Sequence, residues 1–387
     1  MQSHTSLSIG VTRLNRGWKL LLDQEKVSYH VINLSKEISA NDVPLIIITK
    51  APQGLERKTL INYLENGGTV LSYSLHLKNI LNLDLAPIKI DSLSGKTRLF
   101  NHTSKIYLGL GGYFTKGISP RRVKNQIVAK VYGKINQNHN AINSFSFGKG
   151  HIILLPFDVN LALINQKTTC RSFYSSNGPL QENVSLVSKD NVRQLVQNCF
   201  VYLLSKNNLP YVHVWYYPNK FETAFNFRLD VDGRKIRDMG VIINVSSKLK
   251  IPLTWFFCMK NYGSVNNKIK TKNKIINQKL FYSLKSLGHD VQSHGFQHMI
   301  YNNYSDNYLN ISKASELLRD YGFKTIGFSS PHGHWNNCLG KALVDNNFVY
   351  SSDFSLDYSA FPSFLNIKDI NGRQNKFMQI PIHPICI

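Results

Sequence analysis

Phe227-Arg228-Leu229-Asp230-Val231-Asp232-Gly233 ends an apolar run on two carboxylates separated by a single residue. The run over 225–231 reads as a strand, and the glycine that follows marks its end. Taken alone, an Asp before Gly and ahead of a helix reads first as capping or turn chemistry. The functional alternative makes one carboxylate a metal ligand and its neighbour a general base, which requires both to be fixed at one strand end.

Working outward from this stretch, further strands are expected at 253–259, 289–293, 325–329, 348–353 and 377–382. Helices are expected between them at 236–250, 278–287, 309–321 and 336–346. That alternation is the pattern of a (β/α) barrel or a doubly wound sheet. Polar clusters fall at the C-terminal ends of these strands: Asp230 with Asp232, His294 with His298, Ser329 to His332, Asp353, and His383. In a (β/α) barrel the strand ends and following loops surround one mouth, so groups placed there converge.

The second informative stretch is Gly288-His289-Asp290-Val291-Gln292-Ser293-His294-Gly295-Phe296-Gln297-His298. Two histidines stand four residues apart just past a strand. If the segment turns into helix there, both imidazoles share one face and can grip one divalent ion. A lone histidine is more often structural. The pair together with a carboxylate from another strand makes a two-His, one-carboxylate set that leaves positions open for water and substrate.

In order, spacing and placement on strands, the segments from Thr223 to Ile387 resemble the polysaccharide deacetylase family of carbohydrate esterases. Asp230-Val231-Asp232-Gly233 resembles its first motif, in the variant with one residue between the acids. Ser293, His294 and His298 resemble the second. Ser329-Ser330-Pro331-His332-Gly333 stands at the third motif, with Ser329 where an arginine is expected. Tyr350-Ser351-Ser352-Asp353 and Ile380-Pro381-Ile382-His383-Pro384 resemble the fourth and last.

The resemblance implies an irregular (β/α) barrel and a metal-dependent hydrolase that removes N-acetyl groups from an amino sugar in a polysaccharide or its precursor. It implies Asp232, His294 and His298 as ligands of one divalent ion, Asp230 as base and His383 as general acid. It further implies a lining of Ser329, Pro331, His332 and Asp353, with the His332 N–H turned toward the oxyanion. The missing arginine leaves the task of holding the base unassigned. The donor set suits zinc, cobalt, nickel or iron, and zinc is the expected ion. Two alternatives remain: an inactive, deacetylase-like carbohydrate-binding protein, and a hydrolase of non-sugar amides on the same scaffold.

The first half also alternates strands and helices. Pro44-Leu45-Ile46-Ile47-Ile48-Thr49 is a continuous apolar run of the kind covered on both faces in a parallel sheet. A helix over 54–66 and a strand over 69–71 complete a βαβ unit, and 191–206 reads as a closing helix. With the strand pattern at 148–158, this half loosely resembles the class I glutamine-amidotransferase-like fold. Those enzymes need a cysteine at a strand-to-helix turn, and Leu71-Ser72-Tyr73-Ser74-Leu75-His76 has none. The expected organisation is a non-catalytic, doubly wound, mostly parallel α/β domain over 1–206, a packed connector over 207–222, and the barrel over 223–387.

The formal charge of +23 attracts anionic glycans or surfaces, through runs such as Arg121-Arg122-Val123-Lys124 and the lysines of 268–274. No aromatic-basic stacking motif or zinc finger points to specific nucleic-acid binding. Five scattered cysteines with no CxxC pair fit reduced thiols. No signal segment or membrane-spanning stretch is legible, so a cytoplasmic location is the default expectation.

Overall fold

The structure is a computed structural model that describes residues 7–95, 99, 105–118, 129–131, 134–135, 139–172, 181–222, 224–233, 236–262, 272–353 and 362–382. The chain divides into two compact units, 1–165 with 186–220 and 166–185 with 221–387. Residues 207–220 of the expected connector thus belong to the first unit, and a short excursion before the closing helix belongs to the second.

In the first unit β1 (Ile9–Val11), β2 (Tyr29–Val31), β3 (Leu45–Ile48) and β4 (Thr69–Tyr73) run parallel in the order β2-β1-β3-β4, joined by α1 (Arg16–Glu25) and α2 (Gly54–Glu65). After the short α3 (Lys78–Leu81), β5 (Leu83–Ser94) and β6 (Lys105–Ile118) pair as a long antiparallel hairpin. β7 (Ala129–Val131) forms the far edge of the main sheet, while β8 (Lys134–Ile135) and β9 (His139–Asn140) extend the hairpin. β10 (Asn143–Phe147) and β11 (Gly150–Leu155) complete the main sheet, followed by α4 (Val159–Ile164) and α5 (Lys189–Lys206).

Alternate residues of the apolar strands face opposite ways, as a period of two requires. Leu45, Ile47, Leu71 and Ile153 pack with Leu21, Val196 and Phe200, whereas Ile46, Ile48, Val70 and Ile152 pack with Leu60, Tyr63 and Leu64. Both faces of the sheet are therefore covered, which is why its strands read as unbroken apolar runs. The sheet is mixed, because β10 pairs antiparallel with both β11 and β7.

The second unit begins with an antiparallel hairpin of β12 (Thr168–Ser172) and β13 (Gln181–Ser185). Then come β14 (Arg228–Val231), α6 (Ile236–Leu249), β15 (Thr254–Phe257), α7 (Lys272–Ser286), β16 (Asp290–Ser293) and α8 (Tyr304–Asp320). They are followed by β17 (Gly327–Phe328), α9 (Asn337–Asp345), β18 (Tyr350–Ser351), β19 (Ser363–Lys368) and β20 (Gln374–Gln379). The sheet order is β14-β15-β16-β17-β18-β20-β19, parallel throughout except for the β19–β20 hairpin.

An irregular (β/α) barrel was the expectation, but among the described residues β14 and β19 do not pair, so the sheet is open. β19 returns antiparallel and takes the outer position, and the ladder stops there. Val231, Trp255, Phe257 and Val291 pack against Met239, Phe281, Leu284 and Leu318 of the helices, and Phe328 packs against Leu339 and Leu343. The alternate positions of β14, β15 and β16, among them Asp230, Phe256 and Gln292, turn to the other face. Gln292 fills a gap in the ladder there, its Oε1 accepting from the N–H groups of Ile326 and Gly327 at 2.9 and 2.8 Å.

No helix among the described residues is long and apolar enough to cross a membrane. Cys199, Cys258 and Cys338 are free thiols. His383, Arg121-Arg122-Val123-Lys124 and residues 268–271 lie outside the described residues.

Candidate metal centre

Three strand ends build the site. β14 carries Arg228, Asp230 and, just beyond its end, Asp232 at alternate positions, while β16 delivers His294 one residue past its last. His294 is buried, and its Nδ1 lies 2.7 Å from the carbonyl oxygen of Ser329. A carbonyl can only accept, so Nδ1 carries a hydrogen and donates it there, which turns Nε2 toward the cluster.

The expected helical route to His298 is not taken. Residues 294–298 form a bent loop after β16. Gly295 turns the chain with φ of +83°, where a Cβ would meet Asn310 Nδ2 and the Gln297 carbonyl oxygen, each at 3.0 Å. Asn310 pins the loop: its Oδ1 accepts from Gln297 N–H at 2.7 Å, and its Nδ2 donates to the carbonyls of Gln297 and Met299 at 3.2 and 3.1 Å. The loop places His298 beside His294 with ring centroids 4.9 Å apart.

Asp232 Oδ1 lies 3.1 Å from His294 Nε2 and 3.2 Å from His298 Nε2, and the two Nε2 atoms are 3.1 Å apart. Burial, joined by the charges of His294 and His332, pushes His298 below its ordinary range against the pull of Asp232 and Asp230. Two imidazole nitrogens and a carboxylate oxygen thus come together at one point. Three donors each about 2.0–2.2 Å from one ion would stand about 3.0–3.5 Å from one another, so the triangle fits a divalent cation.

Asp230 sits beside this cluster on the same face of β14. Arg228 Nε donates to its Oδ1 at 2.9 Å, Arg228 Nη2 donates to its Oδ2, and Ser329 Oγ donates to Oδ2 at 3.2 Å. Burial by itself raises the Asp230 carboxyl. The Arg228 charge and hydrogen bonds, with His294 and Ser329, outweigh it and hold the group below the usual carboxylate range.

The third loop runs Ser329-Ser330-Pro331-His332, with Ser329, Ser330 and Pro331 buried and His332 exposed. His332 adopts the left-handed conformation at φ of 57°, a strained state for a residue with a Cβ, and Gly333 follows at φ of 62°. The His332 ring lies 4.7 Å from that of His298, centroid to centroid. Asp353 is 3% exposed, and its Oδ1 accepts from Ser330 N–H. It braces the loop from behind and does not line the mouth. Burial pushes its carboxyl up, opposed by hydrogen bonds from Ser351 and Ser330.

Arg228 escaped the sequence reading, although the alternation of 228, 230 and 232 along one strand carried the signal. Among the described residues, Asp232, His294 and His298 form a group able to hold a metal ion. His383 lies outside the described residues.

No family model matches the chain, and no curated protein does. Among solved structures, the chain is similar to a family 4 carbohydrate esterase from Streptomyces lividans in complex with acetate, at 15% identity and a TM-score of 0.27 over 34% of this chain and 62% of that one. It is also similar to a Streptococcus pyogenes deacetylase in complex with acetate, at 14% identity and a TM-score of 0.31 over 48% and 71%. A family 4 pseudoenzyme from Bacillus anthracis is similar at 12% identity and a TM-score of 0.29 over 43% and 56%. The chain spans less than two thirds of the first and third of these proteins. At these TM-scores the likenesses carry no weight for function, which rests on the geometry of the site.

Proposed function

We propose that the second unit is a metal-dependent hydrolase that removes N-acetyl groups from an amino sugar in a polysaccharide or its precursor. The observation that carries this reading is the convergence of Asp232 Oδ1, His294 Nε2 and His298 Nε2 within 3.2 Å of one another, beside a separately held carboxylate, Asp230. A divalent ion held by these three side chains supplies a Lewis acid that polarises an acyl oxygen and makes water more acidic.

The remaining work falls to the chain. Asp230 is ionised at neutral pH and fixed by Arg228 and Ser329, so it accepts the proton of the attacking water. The His332 N–H donates to the oxyanion, at a turn whose strained backbone is held by Asp353 through Ser330. His383 gives a proton to the departing amine. The products are acetate and a free amine.

Elemental analysis of protein purified without added metal, paired with acetate release from a panel of N-acetylated amino sugars and their oligomers, tests the reading. The expected result is about one divalent ion per chain and acetate release that a chelator stops. Protein that holds no divalent ion, or releases no acetate with the ion bound, would overturn it.

A further inference from the structure

Arg228 offers five N–H donors in one rigid plane, and all five are engaged. Nε and Nη2 take the two oxygens of Asp230, Nη2 also donates to Ser329 Oγ, and Nη1 donates to the carbonyl oxygen and Oγ of Ser352. The guanidinium carbon lies 5.1 Å from the centroid of the Phe256 ring on the neighbouring strand. One side chain from β14 therefore ties the ends of β17 and β18 to Asp230, across a sheet that backbone pairing leaves open. A guanidinium with no donor left over cannot also bind an anionic substrate group.

We propose that Arg228 is the positioning residue of the site: it fixes the orientation of the Asp230 carboxylate, with Ser329 and Ser352 as its anchors. This rests on the hydrolase reading above. The small residue at Ser329 makes the arrangement work, since its hydroxyl accepts from the guanidinium where a longer side chain would fill the same space. The arginine missing at Ser329 left the hold on the base unassigned, and Arg228 offers that hold from a different strand.

Two measurements on the full chain test the assignment. In the first, ¹⁵N NMR of arginine-labelled protein reads rotation of the Arg228 guanidinium. Separate Nη signals from hindered rotation are expected in the wild type and their merging in Asp230→Ala, whereas free rotation in the wild type would overturn the hold without reference to activity. In the second, Arg228→Ala and Arg228→Lys are expected to lower kcat about 10–100-fold with KM nearly unchanged, because lysine keeps the charge but loses the two-point grip. Metal content should stay at the wild-type level in both, which checks that the site still folds. Ser329→Arg added to Arg228→Ala should recover part of kcat, an outcome that a merely structural role would not give. Wild-type kcat in Arg228→Ala, or no recovery in the double variant, overturns the positioning role alone. A metal-loaded wild type that releases no acetate overturns the hydrolase reading and this role with it.

Discussion

Adding a divalent ion to metal-free protein should raise the melting temperature of the second unit, and the size of the rise can be worked from the site. Two imidazole nitrogens and a carboxylate oxygen stand 3.1–3.2 Å apart, so the folded unit offers a formed cage that the unfolded chain lacks. An ion at 100 times its Kd stabilises the state that binds it by about 2.7 kcal/mol. For a unit of this size each kcal/mol moves the midpoint by about 2–4 °C, giving a rise of about 5–10 °C. Differential scanning calorimetry with a chelator, and then with zinc, cobalt, nickel or iron, makes the measurement, and the transition of the first unit should stay where it is. Asp232→Ala and His298→Ala are the controls. The Asp232 side chain is 54% exposed, so its loss should cost little in the chelated protein and should abolish the rise on adding metal. A rise of the same size in both variants, or none in the wild type with any of the four ions, would refute the reasoning.

Asp230→Asn should lower turnover about 10²–10⁴-fold while leaving metal content near the wild-type level, and loss of the ion by elemental analysis would reassign Asp230 as a ligand. Lys189 is fully buried at the start of α5, and burial lowers its ammonium from 10.5 to about 7. Between those values the unfolded chain binds the proton and the folded chain does not, so this residue's penalty is full below pH 7 and fades as pH rises toward 10.5. Lys189→Met should therefore stabilise the first unit by up to about 5 kcal/mol near pH 6 and by progressively less at pH 9 in urea titrations. Gly150→Ala would place a Cβ 2.3 Å from the Gly68 carbonyl oxygen and 2.5 Å from that of Leu64, backbone atoms that cannot swing aside. A loss of about 1–3 kcal/mol is expected, read as a lower urea midpoint.

The sequence by itself determined much of the strand-helix alternation, because Leu45 to Ile48 carry their burial in local order, although the strand expected from Phe225 begins only at Arg228 and leaves Phe225 and Phe227 exposed. It also determined which side chains stand at strand ends, since the period of two and the glycines after Asp232 and His294 are local facts. What it left open depended on contacts between distant segments. The route from His294 to His298 is set by Asn310, twelve residues beyond the second histidine, so helical spacing was a guide to the pairing but not to its cause. Whether the sheet closes depends on the direction in which β19 returns, and the hairpin of β12 and β13 joins the second unit only through tertiary packing. Arg228 shows the difference most directly. Its place two residues before Asp230 was written in the chain, but its anchors are Ser329 and Ser352, about a hundred residues away. Only the folded sheet brings those three strand ends within reach of one guanidinium, because hydrogen bonds act over about 3 Å and carry no signature along the sequence.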